Sequence, residues 1–194
     1  MTTDFSKPIA LAGALLGLAL LPACSTENDT SDDQPGVTQD ATTRTLVAAL
    51  GDASDLGTLR SAIDATELGS IFDGRSTYTL LAPNDAAFEA LGETGTNLMS
   101  EDQRPLLVGL VRNHILPGQV TLEDITAAIE ANGGEVTMTT LGDGTVTFSK
   151  TGDTITVSNG QGASATNVSS ATATSNGVII PLDAVLVPKE TPAV

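Results

Sequence analysis

The sequence predicts an α+β domain with a helical first half and a strand-rich second half, and three observations carry that reading. From residue 43 to residue 132 apolar side chains recur at helical spacing. From Glu135 onward they recur every second residue, the period of a half-buried strand. Within the first of these regimes, the stretch 77–91 compresses a strand, a hard stop and a capped helix into one corner. Helices first and strands later is the order of segregated layers.

Taken in order, Leu46 and Leu50 share a face, Gly51 can close that turn, and Asp55 can cap a second helix carrying Leu56, Leu59 and Ile63. A short piece over 68–72 follows, and Asp73-Gly74 turns the chain into the strand at 77–82. Pro83 ends that strand and pushes Ala82 into an extended conformation. Asn84 then caps a helix, with Asp85 and Glu89 near its positive end and Phe88 and Leu91 pointing one way. A loop containing glycine and threonine comes next. Ser100-Glu101-Asp102-Gln103 reads as a capping box, but Pro105 would delete a helical bond, so a short turn and a helix from Pro105 to Asn113 are expected, with Leu107, Leu110 and Val111 inward.

Pro117-Gly118 ends an extended piece. Thr121 can cap a helix with Leu122, Ile125 and Ile129 inward, and Gly133-Gly134 stops it. The paired residues Val136/Met138, Val146/Phe148 and Ile155/Val157, separated by glycine-containing turns, predict an antiparallel meander. A further strand fits 163–168, the Ser/Thr/Ala run to Ser175 is weakly patterned, and Asn176-Gly177 turns into a strand over 178–182. Pro181 is expected at an edge or a bulge. The last apolar group, 185–187, ends at Pro188.

Ahead of this domain, Lys7 and Pro8 precede an apolar run over 9–21, too short to span a bilayer as a mature helix. The run ends in Leu21-Pro22-Ala23-Cys24, which fits a bacterial lipoprotein cleavage box. Residues 1–23 are thus expected to be a lipoprotein signal peptide, and Cys24, the only cysteine, to carry the lipid. Residues 24–42 are polar and acidic without a basic residue, the composition of a disordered tether. Residues 43–188 then form the domain and 189–194 a tail. Ser25 stands where Asp would signal inner-membrane retention, so a cell with an outer membrane would carry the protein there, in the cell envelope.

Composition narrows the function. A formal net charge of -16 argues against nucleic acid, whose phosphates would repel it. With 3% aromatic residues and no Trp, the core must be aliphatic and stacking platforms for sugars or bases are lacking. One His, no G-x-S-x-G elbow and a cysteine committed to lipid leave no nucleophile with its base, so no catalytic residue is assigned. Zinc sites draw on several His or Cys residues, and the glycine turns lack the helix and lysine of a phosphate loop, so no metal or cofactor is expected.

Three segments carry a family resemblance. Ala82-Pro83-Asn84-Asp85 with Phe88, then His114 with Pro117-Gly118, then Asn176-Gly177-Val178 resemble, in order and spacing, the signatures of fasciclin domains. The resemblance spans 43–188 and implies a β-wedge of two sheets with helices packed at one side, the 77–91 corner supplying a central strand and helix. It implies cell adhesion or contact with a protein or matrix partner at the bacterial envelope. Alternatives from the same resemblance are a module for a small hydrophobic ligand, carotenoid- or lipid-like, held between helices and sheet, or a purely structural envelope protein. The family's Tyr-His element is linked to integrin binding in animal members. Here Asn113 replaces that Tyr, Ile180 stands where a second His is common, and the Asp-Ile integrin pair is missing before Asn176. Asp124-Ile125 has those letters on a helix, where Ile125 reads as core. The structural reading of His114 pairs it with Asp85, locking two signatures together.

Overall fold

A computed structural model describes residues 43–187. The leader 1–23 with Cys24, the tether 24–42, Pro188 and the tail 189–194 lie outside the described residues. Helices α1 (Leu46–Asp52) and α2 (Gly57–Ala65) lead through a 3-10 segment, Leu68–Asp73, into strand β1 (Tyr78–Pro83). Helices α3 (Asp85–Glu89), α4 (Glu93–Leu98) and α5 (Arg104–Asn113), strand β2 (Ile115–Pro117) and helix α6 (Leu122–Ala131) follow. Strands β3 (Glu135–Thr139), β4 (Thr145–Thr151), β5 (Thr154–Ser158) and β6 (Ser164–Thr166) form the meander, and β7 (Thr172–Thr174) and β8 (Gly177–Leu182) close the fold.

There are two four-stranded sheets, β2-β1-β8-β7 and β3-β4-β5-β6. β1 is interior to the first, antiparallel to β2 and parallel to β8, with Tyr78 opposite Gly177 and Pro83 opposite Leu182. Being covered on both faces, β1 and β8 read as continuous apolar runs rather than alternating ones. Leu80, Ala82, Ile115 and Ile179 share one core with Leu46, Leu59, Ile63, Leu107 and Val111 of the helices. Leu81, Leu116, Val178, Ile180 and Leu182 share the other with Ile125 and Ile129 of α6 and Val146, Phe148, Ile155 and Val157 of the second sheet. Helices α1, α2, α3 and α5 therefore cover one face of the first sheet, and the second sheet together with α6 covers the other, the two-sheet wedge with most helices at one side.

Several local expectations need correction. Helix α4 lies where a loop was expected; Thr94, Gly95 and Thr96 are poor helix formers, but Gly95 packs so closely on the Phe88 carbonyl, 2.8 Å from where its Cβ would stand, that only glycine fits. Ser100 does not close a capping box, its hydroxyl instead donating to Asn97. The box forms at Thr121 and Asp124, which bond reciprocally at the start of α6. Gly51 sits inside α1 rather than beyond it. The last apolar group, 185–187, follows β8 without extending it, and Val187 N–H folds back to the Val185 carbonyl. Pro181 lies on an interior strand, but β7 pairs with β8 only as far as Ile179, so the missing N–H falls past the end of that ladder.

Candidate functional site

The signature residues sit where β1, β2, β8 and the helices meet, and each is held by hydrogen bonds, strand pairing or packing. Asn84 caps α3 as expected, accepting from Ala87 N–H at 2.8 Å, while its own N–H donates to the Leu182 carbonyl at 3.0 Å and ties the corner to the end of β8. Ala82 and Phe88 are buried in the helix-side core, and Pro83 closes β1 beside Leu182.

Asp85 does not pair with His114. Its carboxylate accepts from Thr58 N–H at 2.7 Å, and its own N–H donates to the Asp55 carbonyl at 2.8 Å. Asp85 thus caps α2 from 27 positions along the chain, the job expected of Asp55, while no side chain caps that helix locally. The Thr58 N–H, then the Thr58 hydroxyl, hold the Asp85 carboxyl below its ordinary range. We expect Asp85→Ala to lower stability by about 1–2 kcal/mol, as loss of a helix cap does, and Asp85→Asn to lose less because its amide oxygen still accepts; urea melts of the two variants check this order.

His114 is 2% exposed, and both ring nitrogens are engaged. Nε2 accepts from Leu186 N–H at 3.0 Å, so Nε2 is unprotonated and Nδ1–H donates to the Leu110 carbonyl at 2.8 Å. The ring closes the last turn of α5, whose His114 N–H has shifted to the Val111 carbonyl, and pins residues 185–187 that follow β8. Burial pushes the imidazole down to about 4, against a raising effect of the Leu110 carbonyl. The first two signatures are locked together, but by backbone: the His114 carbonyl accepts from Leu81 N–H at 2.8 Å. The ring reaches back to Leu110 of its own helix and across to Leu186, so neither nitrogen is free for a side-chain bridge to Asp85.

Gly118 N–H donates to the Thr77 carbonyl at 2.9 Å with φ of +92°, a conformation that explains glycine there. The buried Thr79 hydroxyl donates to the Gly118 carbonyl at 2.9 Å and accepts from Val120 N–H at 2.8 Å. Pro117 ends β2 on a sheet edge, where its missing N–H breaks no ladder. Asn176 accepts from Leu46 N–H and donates to the Phe72 carbonyl, both at 2.7 Å, binding the β7–β8 turn to the first helix and the 3-10 segment. Gly177 lies directly against the Tyr78 carbonyl, and Val178 is buried beside it.

Sequence reasoning missed Asn113. Its Oδ1 accepts from the Thr140 hydroxyl at 3.0 Å and lies against Gly142 and Gly144, which were read as turn residues alone. A side chain at either glycine would collide with that amide, and the Gly-Asp-Gly spacing was the available signal. Among the described residues, no group of three or more His, Cys, Asp or Glu is placed to hold a metal. A cleft of about 740 Å³, open to solvent, is lined by Phe88, Met99, Glu89 and Glu93 among others. It lies beside α3 and α4, and Phe88 at its edge belongs to the buried helix-side core.

The fold and these residues define a wedge-shaped domain whose signature positions are taken up by structural bonds and packing. The chain belongs to the fasciclin domain family, whose model matches residues 54–188. It is 29% identical to protein sll1483 of Synechocystis over 92% of this chain and 93% of that one. It is 34% identical to the transforming growth factor-beta-induced protein ig-h3 of Sus scrofa over 68% of this chain, which spans 17% of that protein. In fold it resembles a FAS1 domain pair from the insect cell adhesion molecule Fasciclin I, with a TM-score of 0.67 at 12% identity, over 75% of this chain and 51% of that one.

Proposed function

We propose that this chain is a membrane-tethered extracytoplasmic contact module that mediates adhesion through its fasciclin domain and performs no catalysis. The observation that carries the reading is the family match over 54–188, with a fold shared with part of an insect cell adhesion molecule. The use of Asn84, Asp85, His114 and Asn176 for structural bonds supports it, since a contact module needs a rigid frame and a free surface. Lipid on Cys24 holds the protein on the membrane and the acidic segment 24–42 holds the domain away from it, extended by repulsion from anionic headgroups. Among the described residues no helix is long and apolar enough to cross a membrane, so within them the anchor has no rival helical span. Cys24→Ala is expected to move the protein from the membrane fraction to the soluble extracytoplasmic fraction, to abolish incorporation of labelled fatty acid, and to reduce attachment of cells to one another or to a matrix. Retention of the variant on membranes would overturn the anchor, and unchanged attachment in cells lacking the protein would overturn the adhesive role.

A further inference from the structure

Four strands end the two sheets, and three of them, β2, β6 and β7, are only 3 residues long and tied back by neighbouring groups. The Ile115 carbonyl of β2 accepts from Leu141 N–H at 2.8 Å, and Pro117 has no N–H to offer. Thr166 of β6 is taken on both sides of its peptide: its N–H donates to the Asp183 carboxylate at 2.6 Å and its carbonyl accepts from Asp183 N–H at 3.1 Å. β7 is 3 residues long, and the next residue, Ser175, donates to the Arg44 carbonyl. β3 differs. Thr140 N–H donates to the Gly144 carbonyl, continuing the β3–β4 ladder, so by antiparallel alternation Val136, Met138 and Thr140 turn their peptide groups toward β4. Glu135, Thr137 and Thr139 turn theirs outward, and among the described residues these groups have no hydrogen-bond partner.

An unpaired strand edge is a template for another strand, and proteins usually blunt it with Lys, Pro or a bulge. β3, Glu-Val-Thr-Met-Thr, has no Lys, Pro or bulge; its one charge, Glu135, stands at the end of the strand, and Val136, Thr137 and Thr139 favour strands. Its register is also self-complementary. In an antiparallel pairing of two copies about Thr137, Thr137 meets Thr137 and Glu135 meets Thr139, so no like charges stand opposite each other. On the inner face Val136 of one copy meets Met138 of the other. Both are half-buried at the rim of the second core, and pairing would finish covering them.

We propose that β3 is a pairing edge for a second copy of this chain, joining two four-stranded sheets into one across a two-fold axis at Thr137. The contact is small, and a formal net charge of -16 opposes it at long range, so it is weak in free solution and strengthens with salt. Its use rests on the tethered reading above, because anchoring on a surface raises the effective concentration of copies. The pairing itself is measured without a membrane.

The test is disulfide trapping in the full chain carrying Cys24→Ser. Thr137→Cys is expected to cross-link to itself under mild oxidant, several-fold faster in 0.5 M than in 0.05 M NaCl, since paired strands hold the two Cα atoms within disulfide reach. Glu135→Cys is expected to cross-link with Thr139→Cys in a mixture and not with itself. Thr154→Cys, exposed on β5, is the background control. Cross-linking of Thr137→Cys no faster than this control would overturn the proposal, as would self-linking of Glu135→Cys, which signals another register. Coincident thermal melts of the cysteine variants and the parent keep a folding defect from being read as loss of pairing. Release by Cys24→Ala is independent of these rates, so each reading can fail alone.

Discussion

Gly177→Ala is expected to destabilise the domain by more than any other single methyl addition. A Cβ at this position would collide with the Tyr78 carbonyl of β1 and stand 3.0 Å from the Leu46 side chain of α1. Neither can yield cheaply: Tyr78 is paired to Gly177 in the β1–β8 register, and Leu46 is fully buried with its N–H held by Asn176. Relief requires β8 to part from β1 at the centre of the first sheet. Overpacking of this kind costs about 3 kcal/mol or more, which for a domain of this size lowers Tm by roughly 10 °C. Thermal unfolding followed by far-UV circular dichroism measures it, and a Tm within about 2 °C of the parent would contradict the steric account.

The second large effect concerns His114 and pH. The unfolded imidazole takes up a proton below 6.5, whereas the buried ring resists it until about 4. Between those values the unfolded state binds more protons than the folded one, so stability falls as pH falls through this window. At about 1.36 kcal/mol per unit, on the order of 3 kcal/mol present at pH 7 is lost by pH 4. The structural cause is plain: a protonated Nε2 would point a hydrogen at Leu186 N–H, donor against donor. Asp85, whose carboxyl is held below 3.8, contributes in the same direction but only at more acid pH, so the windows separate. His114→Ala strands the Leu186 N–H and the Leu110 carbonyl and should cost about 3 kcal/mol at pH 7, while flattening the slope between pH 6.5 and 4.5. Urea unfolding of parent and variant across that range checks both, and parallel slopes would contradict the assignment.

The backbone of the corner 77–91 was legible because its information is local, whereas the partner of Asp85 was not. Strand-forming residues, Pro83 and Asn84 act within a few positions of themselves, and the buried strand, the stop and the Asn84 cap stand as read. The same holds for Thr121 and for the meander pairs Val146/Phe148 and Ile155/Val157, whose periodicity names the buried face whatever packs on it. The signatures also identified the family. What failed was local inference about partners distant in sequence. Asp55 and Ser100 looked like caps, yet α2 is capped by Asp85 and Ser100 serves Asn97. Helix α4 was hidden by Gly95, whose fitness depends on the Phe88 carbonyl beneath it.

The amino-acid sequence by itself determined the layers, the order of the elements other than α4 and β7, and the family, since these follow from periodicity and from residues that dictate their own backbone. Only the tertiary structure decided which groups bond across the chain. It gave His114 to Leu186 and Leu110 rather than to Asp85, set Gly177 against Tyr78, and left the outer edge of β3 open. Side-chain direction and strand neighbours arise from packing among residues far apart in the chain, and no local pattern encodes them.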